Sequence, residues 1–281
     1  MITDSISVCS AWYLTNSDYF IVANQETAEV LTRAGVHSEK IRITGFPVSP
    51  VFAQPRKAGY EKDARRVAAR PKVLYAINTG KAQTGKMLHR LLALNHLELT
   101  ITTGRNEDLR TRLTRQLREY GHRVRILGWT DQMPHLLMSH DLLIAKAGGA
   151  MVQETIAACC PMIINQIIPG QEEGNASLIE SIGAGAIACR QKDVAELVQE
   201  AFAEDGRLWL QWRTNLQKVS RPDSALRLAE FMLSGKENDQ VRESHREASS
   251  RRSGFQAAPD NEKSASESSN LSAPAINPSV V

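Results

Sequence analysis

From Lys72 onward the chain alternates short apolar runs with helical patterns. That alternation limits the folds open to it more than any other feature. The runs are Val73 to Ile77, Leu97 to Thr102, Val124 to Leu127, Leu142 to Ala145, Met162 to Asn165 and Ala184 to Ala188. Each is too short for a buried helix and is bounded by polar or glycine-containing segments, so each reads as a strand. Between them lie helical stretches. Leu109, Leu113 and Leu117 form one apolar stripe, surrounded by Arg110, Arg112, Arg115 and Arg118. Strand and helix in regular succession predict an α/β fold, a doubly wound parallel sheet with ligands at the carboxyl ends of its strands. Two or three further helices are expected from about Lys192 to Leu233.

The flanks read differently. Residues 1 to 52 hold two apolar strands, Tyr19 to Val22 and Ile41 to Thr44. Between them a helix is capped by Asn24 and ended at Gly35. That is too little to bury a core of its own, so the segment reads as the end of a domain, with exposed apolar surface as its expected sign. Residues 53 to 71 are charged with proline near both ends, and read as a linker or a surface helix. Residues 72 to 234 are the complete domain. From Gly235 to Val281 large apolar residues nearly vanish and disorder is expected.

Composition excludes several classes. A formal net charge of +3 over 281 residues gives no bulk argument for nucleic acid. No apolar run reaches the roughly 18 residues of a membrane span, and Met1 to Asp4 lacks a signal peptide's basic start and apolar core. Cys9, Cys159, Cys160 and Cys189 have no metal-ligand spacing. The adjacent pair Cys159 and Cys160 reads as buried thiols in a reducing cytoplasm.

Two segments carry chemistry, Lys146-Ala147-Gly148-Gly149-Ala150-Met151-Val152-Gln153-Glu154 and Pro169-Gly170-Gln171-Glu172-Glu173-Gly174-Asn175. Each is a small-residue loop that follows an apolar run and enters a helix. Loops of this kind on neighbouring parallel strands form a crevice lined by free helix N-termini, which binds phosphate. The Glu154 carboxylate suits a sugar diol. The two together call for a nucleotide, and above all a nucleotide sugar. Gly80-Lys81-Ala82-Gln83-Thr84-Gly85-Lys86-Met87 fits most of a P-loop, but Met87 stands where a magnesium-binding hydroxyl belongs and a thioether is a poor ligand for a hard cation. Gly80 and Gly85 still allow backbone N–H groups to approach an anion. Trp12, Trp129, Trp209 and Trp212 read as packing residues, Trp129 also as a neighbour for a base. Gly170 and Gly174 read as turn residues, and the arginines of 110 to 118 as a solvated face with Glu107 and Asp108 as partners, or as a contact for anionic lipid.

With these loops in place, the chain resembles the processive diacylglycerol glycosyltransferases and monogalactosyldiacylglycerol synthases. It is more distantly similar to the N-acetylglucosamine transferase of peptidoglycan synthesis. The resemblance rests on Thr3-Asp4-Ser5, Thr44-Gly45-Phe46-Pro47-Val48, Gly128-Trp129-Thr130-Asp131-Gln132-Met133, Lys146 to Glu154 and Pro169 to Asn175, and runs from about Thr3 to Leu233. It implies a GT-B type fold, with one complete Rossmann-like C-terminal domain for the UDP-sugar and the C-terminal remnant of an N-terminal acceptor domain. It implies that Glu154 holds the ribose hydroxyls, that Gly148, Gly149 and Ala150 receive the pyrophosphate, and that Gln171 and Glu172 face the donor sugar and its phosphates. Thr130 would meet the uracil edge, Lys146 is the basic position before the glycines, and Gly80 belongs to a first loop where the chain departs from the family's glycine pattern.

The implied reaction is metal-independent, inverting transfer of a hexose to an acceptor, by the family's habit a lipid. No Asp-x-Asp metal motif occurs, so backbone N–H groups would carry the leaving phosphate's charge. The resemblance implies a general base on a His of a glycine-rich loop with which the family begins, and none of the seven histidines stands in that context; the base is expected in an N-terminal region before Thr3, and no catalytic residue is assigned. The chain is therefore expected to be the donor half of a truncated, split or inactive enzyme, with a partner chain supplying the other half in the split case. Its expected location is the cytoplasm, at the inner face of the membrane. The alternatives are a non-catalytic nucleotide-binding module and, disfavoured by Met87, a P-loop NTPase.

Overall fold

The computed structural model describes residues 1–54, 62–77, 81–188 and 190–234. Residues 55 to 61 of the expected linker, Gly80, Cys189 and the tail from Gly235 lie outside the described residues.

All six apolar runs become strands, within two residues of the expected bounds. They are β3 (Lys72–Ala76), β4 (Glu98–Thr102), β5 (Val124–Leu127), β6 (Leu142–Lys146), β7 (Met162–Gln166) and β8 (Gly185–Ile187), after β1 (Phe20–Val22) and β2 (Ile41–Ile43) of a separate pair. The six-stranded sheet is parallel throughout, in the order β5-β4-β3-β6-β7-β8. The chain starts at the centre with β3, steps out to β5, returns beside β3 as β6, and steps out the other way to β8. The topological switch therefore lies between β3 and β6, where an open α/β sheet leaves a crevice at its carboxyl edge.

The helices are α1 (Gln25–Arg33), α2 (Ala64–Ala69), α3 (Lys81–Ala93), α4 (Glu107–Gln116), α5 (Met133–Ser139), α6 (Gly149–Ala158), α7 (Glu173–Ser181) and α8 (Gln191–Val219), with a further helical stretch over 224–234. They cover both faces of the sheet. Alternate side chains of β3 feed opposite cores. Val73 and Tyr75 join Leu88, Leu91, Leu109 and Leu113, whereas Leu74 and Ala76 join Leu137, Val152, Ile156 and Ile179. Helix α8 breaks at Ala203–Gly206, where Glu204, Asp205 and Gly206 have φ of 50°, 57° and 76°. The expected late helices are thus two helices that meet at this break, followed by the stretch from 224.

Packing settles three sequence expectations. Met87 lies inside α3, buried in the first core, and α3 has already started at Lys81. A P-loop needs its Gly-Lys pair at the loop-to-helix junction, with free N–H groups. Here Gly85-Lys86 is helix interior, so the NTPase reading loses its geometry. Trp209 and Trp212 are core residues as expected, but Trp12 and Trp129 are 48% and 62% exposed and pack little. On the α4 surface Arg110 pairs with Glu107 at 2.6 Å, the solvated-face arrangement.

The front segment is small. Its two parallel strands β1 and β2 are joined by the Ile2 N–H, which donates to Ile21 O at 2.9 Å. Asn24 caps α1 by accepting from the Thr27 N–H at 2.9 Å, and Gly35 ends it at φ +92°. Its own core is Ile2, Phe20, Val22, Ala28 and Leu31, while Trp12 and Leu14 stand exposed. Val48 and Phe52 are buried in the second core of the large sheet. Residues Met1–Met232 form one compact unit.

Candidate functional site

The loop after β6 opens directly into α6 at the switch point. Gly148 is the N-cap, with extended backbone (φ −67°, ψ 134°), and no side chain caps the helix. The first-turn N–H groups therefore have no side-chain acceptor among the described residues and stand at the positive end of a helix dipole. Ala150 is exposed, and Glu154 stands one turn further on the same face. Glu154 is half-buried and makes no hydrogen bond or ion pair among the described residues. Burial pushes its carboxyl above the ordinary glutamate value. A carboxylate held in that state near a strand's carboxyl edge is a candidate functional position.

Lys146, the last residue of β6, donates to Glu172 Oε1. Its ammonium would lie 3.4 Å from a β-carbon on Gly148, so it flanks the mouth of α6. The Glu172 side chain is 4% exposed against 31% for Lys146, and Glu172 Oε2 accepts the Ile168 N–H at 3.0 Å. Gln171 beside it is exposed. Across the ladder from Lys146, Gln166 has a buried side-chain oxygen with no partner among the described residues.

Thr130 lies beyond β5, three strands from α6 in the sheet order. Its hydroxyl accepts the Gln132 N–H at 3.0 Å and fixes a local turn. Beside it the exposed Trp129 ring faces the Arg105 guanidinium, 5.8 Å from the ring centroid. Gly80 lies outside the described residues.

The structure brings Lys146, Gly148 and Glu172 together. It adds a feature that no single motif announced, because Thr3 to Ser7 lies against the first turns of both α6 and α7. A β-carbon on Gly149 would sit 3.0 Å from Thr3 O and 3.3 Å from Asp4 Oδ1. One on Gly174 would collide with Ser5 O and come within 2.7 Å of Ser7 Cβ. Gly174 is therefore a close-approach residue in α7, not the turn residue expected, whereas Gly170 does hold a turn at φ +79°. Asn175 is fully buried and clasps the segment twice. Its oxygen accepts the Ser5 N–H at 3.0 Å, and its amide donates to Asp4 Oδ1 at 3.4 Å. Gln153 donates to Ser5 Oγ at 3.1 Å. The segments Thr3-Asp4-Ser5 and Pro169 to Asn175 were both singled out as motifs; that they touch was not legible.

Known proteins resemble this chain in sequence and in fold. Residues 80–207 match the glycosyltransferase family 28 C-terminal domain. The processive diacylglycerol β-glucosyltransferase of Bacillus subtilis (strain 168) is 26% identical over 200 residues, covering 70% of this chain and 52% of that protein. Its counterpart from Staphylococcus carnosus (strain TM300) is 29% identical over 202 residues, covering 70% and 51%. The chain thus spans about half the length of the curated relatives it matches. Among solved structures, the S. aureus MnaA–UDP co-structure superposes with a TM-score of 0.60 at 15% identity, over 77% of this chain and 60% of that one. A UDP-N-acetylglucosamine 2-epimerase does so with 0.57 at 12%, over 79% and 58%. At such identities the likeness is one of fold, and it matches the expected α/β class.

Proposed function

We propose that this chain, whose residues 80–207 match the glycosyltransferase family 28 C-terminal domain, binds a UDP-sugar and serves as the donor side of a glycosyltransferase acting on a lipid. The observation that carries the reading is Glu154, a half-buried carboxylate without a partner among the described residues, one turn along an uncapped helix at the switch point. Ribose hydroxyls would donate to it, and the α6 N–H groups and Lys146 would take the diphosphate.

The order of the loops supports this reading. With strands about 4.8 Å apart, the β5 loop lies roughly 14 Å across the edge from the β6 loop, and the β7 loop lies beside it on the other side. Base, diphosphate and hexose of an extended nucleotide sugar fall in the same order, on Thr130, on Gly148 to Ala150, and on Gln171. In the transfer, an acceptor oxygen bonds to the anomeric carbon as the bond to the diphosphate breaks. The electron pair leaves on the phosphate oxygen, and a base takes the hydroxyl proton. The helix N-terminus and Lys146 stabilise the leaving charge, so donor binding needs no metal.

The matched relatives are named as diacylglycerol β-glucosyltransferases, which supports a hexose donor and a diacylglycerol-type acceptor. With such an acceptor, the protein would work as a peripheral component at the cytoplasmic, inner face of a membrane. Among the described residues no helix is long and apolar enough to cross one. Acceptor and base belong to a second half, which in a split enzyme is a partner chain.

The test is calorimetric titration with UDP in EDTA. Micromolar binding is expected, weakened by about 1–3 kcal/mol in Glu154→Ala through loss of a charge-assisted contact. No binding by the wild-type protein would overturn the reading; binding unchanged in Glu154→Ala would remove the ribose assignment.

A further inference from the structure

Glu172 stands in the loop that faces the proposed hexose, yet its surroundings do not suit a sugar contact. Its side chain is 4% exposed, one oxygen holds the Lys146 ammonium, and the other holds the Ile168 N–H. A ligand arriving at the mouth of α6 meets the lysine, which is 31% exposed, before it meets the carboxylate. Lysine is otherwise a flexible point charge with three rotatable donors and a long stem. Its reach toward the Gly148 backbone depends on what grips it from behind. Among the described residues Glu172 supplies that grip. The same carboxylate fixes the start of the β7 loop through Ile168, so one buried group sets both the cation and the loop.

We infer that Glu172 is a positioning residue that acts on the donor's diphosphate through Lys146, and that it does not touch the hexose. This rests on the donor-site reading above. The geometry also explains why a carboxylate is tolerated beside a site for anions. Its charge is already paired with the ammonium, and it is set back behind it.

The experiment compares UDP and UDP-glucose affinities, by calorimetry in EDTA, for wild type, Glu172→Gln, Lys146→Met and the double variant. Glu172→Asp is included because it keeps the charge but shortens the reach. Glu172→Gln is expected to weaken UDP and UDP-glucose by the same factor, on the order of 5- to 10-fold, the scale of a lost ion-pair contact. In the Lys146→Met background it should change either affinity less than about 2-fold, since acting through one lysine makes the two substitutions non-additive. Glu172→Asp should behave like Glu172→Gln. Thermal melts confirm that each variant is folded; Glu172→Gln leaves Lys146 partly exposed to water and should not unfold the protein. A loss confined to UDP-glucose, an effect that persists in full without Lys146, or no effect at all would overturn the inference. If the wild-type protein binds no UDP, the donor-site reading fails and this inference falls with it. If the wild type binds and only the coupling is missing, this inference fails alone.

Discussion

The two edges of the large sheet use the same residue types to opposite ends. At the amino edge, Asp141 is buried just before β6. It pairs with Lys62 at 2.8 Å and accepts the Lys72 N–H at 2.8 Å, while its carbonyl accepts the Trp209 indole N–H at 2.7 Å. Lys62 also donates to His140 O. The His140 ring lies within 2.7 Å of Leu136 O and 2.8 Å of Thr100 Oγ1. Cys160 is buried beside them, and burial pushes its thiol up to about 12, so it is an inert packing group. Each of these ionisable or polar groups is paired. At the carboxyl edge Glu154 is half-buried with no partner among the described residues, and the helix that carries it has no side-chain cap. What separates an architectural carboxylate from a candidate ligand contact is the presence of partners, because burying an unpaired charge costs stability that only a ligand returns.

The comparison breaks first at Asp141. Asp141→Ala leaves Lys62 buried without its counter-ion and should cost about 3–5 kcal/mol in denaturant unfolding. UDP affinity of the folded fraction should stay unchanged. A loss below 1 kcal/mol would mean that this edge is less tightly sealed than its distances indicate. Next comes Gly174→Ala, which drives a methyl into the Ser5 carbonyl. It should cost about 1–3 kcal/mol as an overpacked contact, and proteolysis should cut the released N-terminal segment sooner than in wild type. Equal protection in both proteins would show that the segment does not depend on this contact.

Smaller effects sharpen the contrast. Glu154 has a folded-state pKa raised by burial. It therefore binds its proton more tightly when folded, and its contribution to stability is present below the unfolded value and lost as pH rises through the folded one. Glu154→Gln should thus be more stable than wild type at neutral pH, with the gain shrinking in acid, while UDP binding weakens. A variant less stable at every pH would show that the carboxylate has a structural partner after all. His140 behaves in the opposite sense. Burial lowers its pKa below 6.5, outweighing the Leu136 carbonyl, which raises it. Below that pH the unfolded chain takes up a proton that the folded ring refuses, so stability should fall as pH drops through the window under 6.5. The slope should flatten in His140→Gln, as read by melts across a pH series.

Much of the fold was legible because hydrophobic periodicity is local. The run Val124 to Leu127 is a strand with the same ends in the structure, and Asn24 and Gly35 bound α1 as read. The break in α8 was not legible as such, since Glu204 and Asp205 adopt positive φ with only Gly206 as a local signal. The site was legible as two loops and a carboxylate. The cover over them was not. Gly149 and Gly174 read as a helix start and a turn, yet both keep space for residues more than 140 positions earlier in the chain.

By itself, then, the sequence determined the strands, the helices, the glycine-rich entry to α6 and the candidate residues around it, because propensity, capping and periodicity act over a few neighbours. Only the tertiary structure decided that Glu172 faces inward onto Lys146, that Glu154 lacks a partner among the described residues, that Trp129 is exposed, and that Thr3 to Ser7 lies across two helix N-termini. Those outcomes depend on which distant groups arrive at a given point in space. Burial, pairing and collision belong to the assembled chain, and no local window of residues contains them.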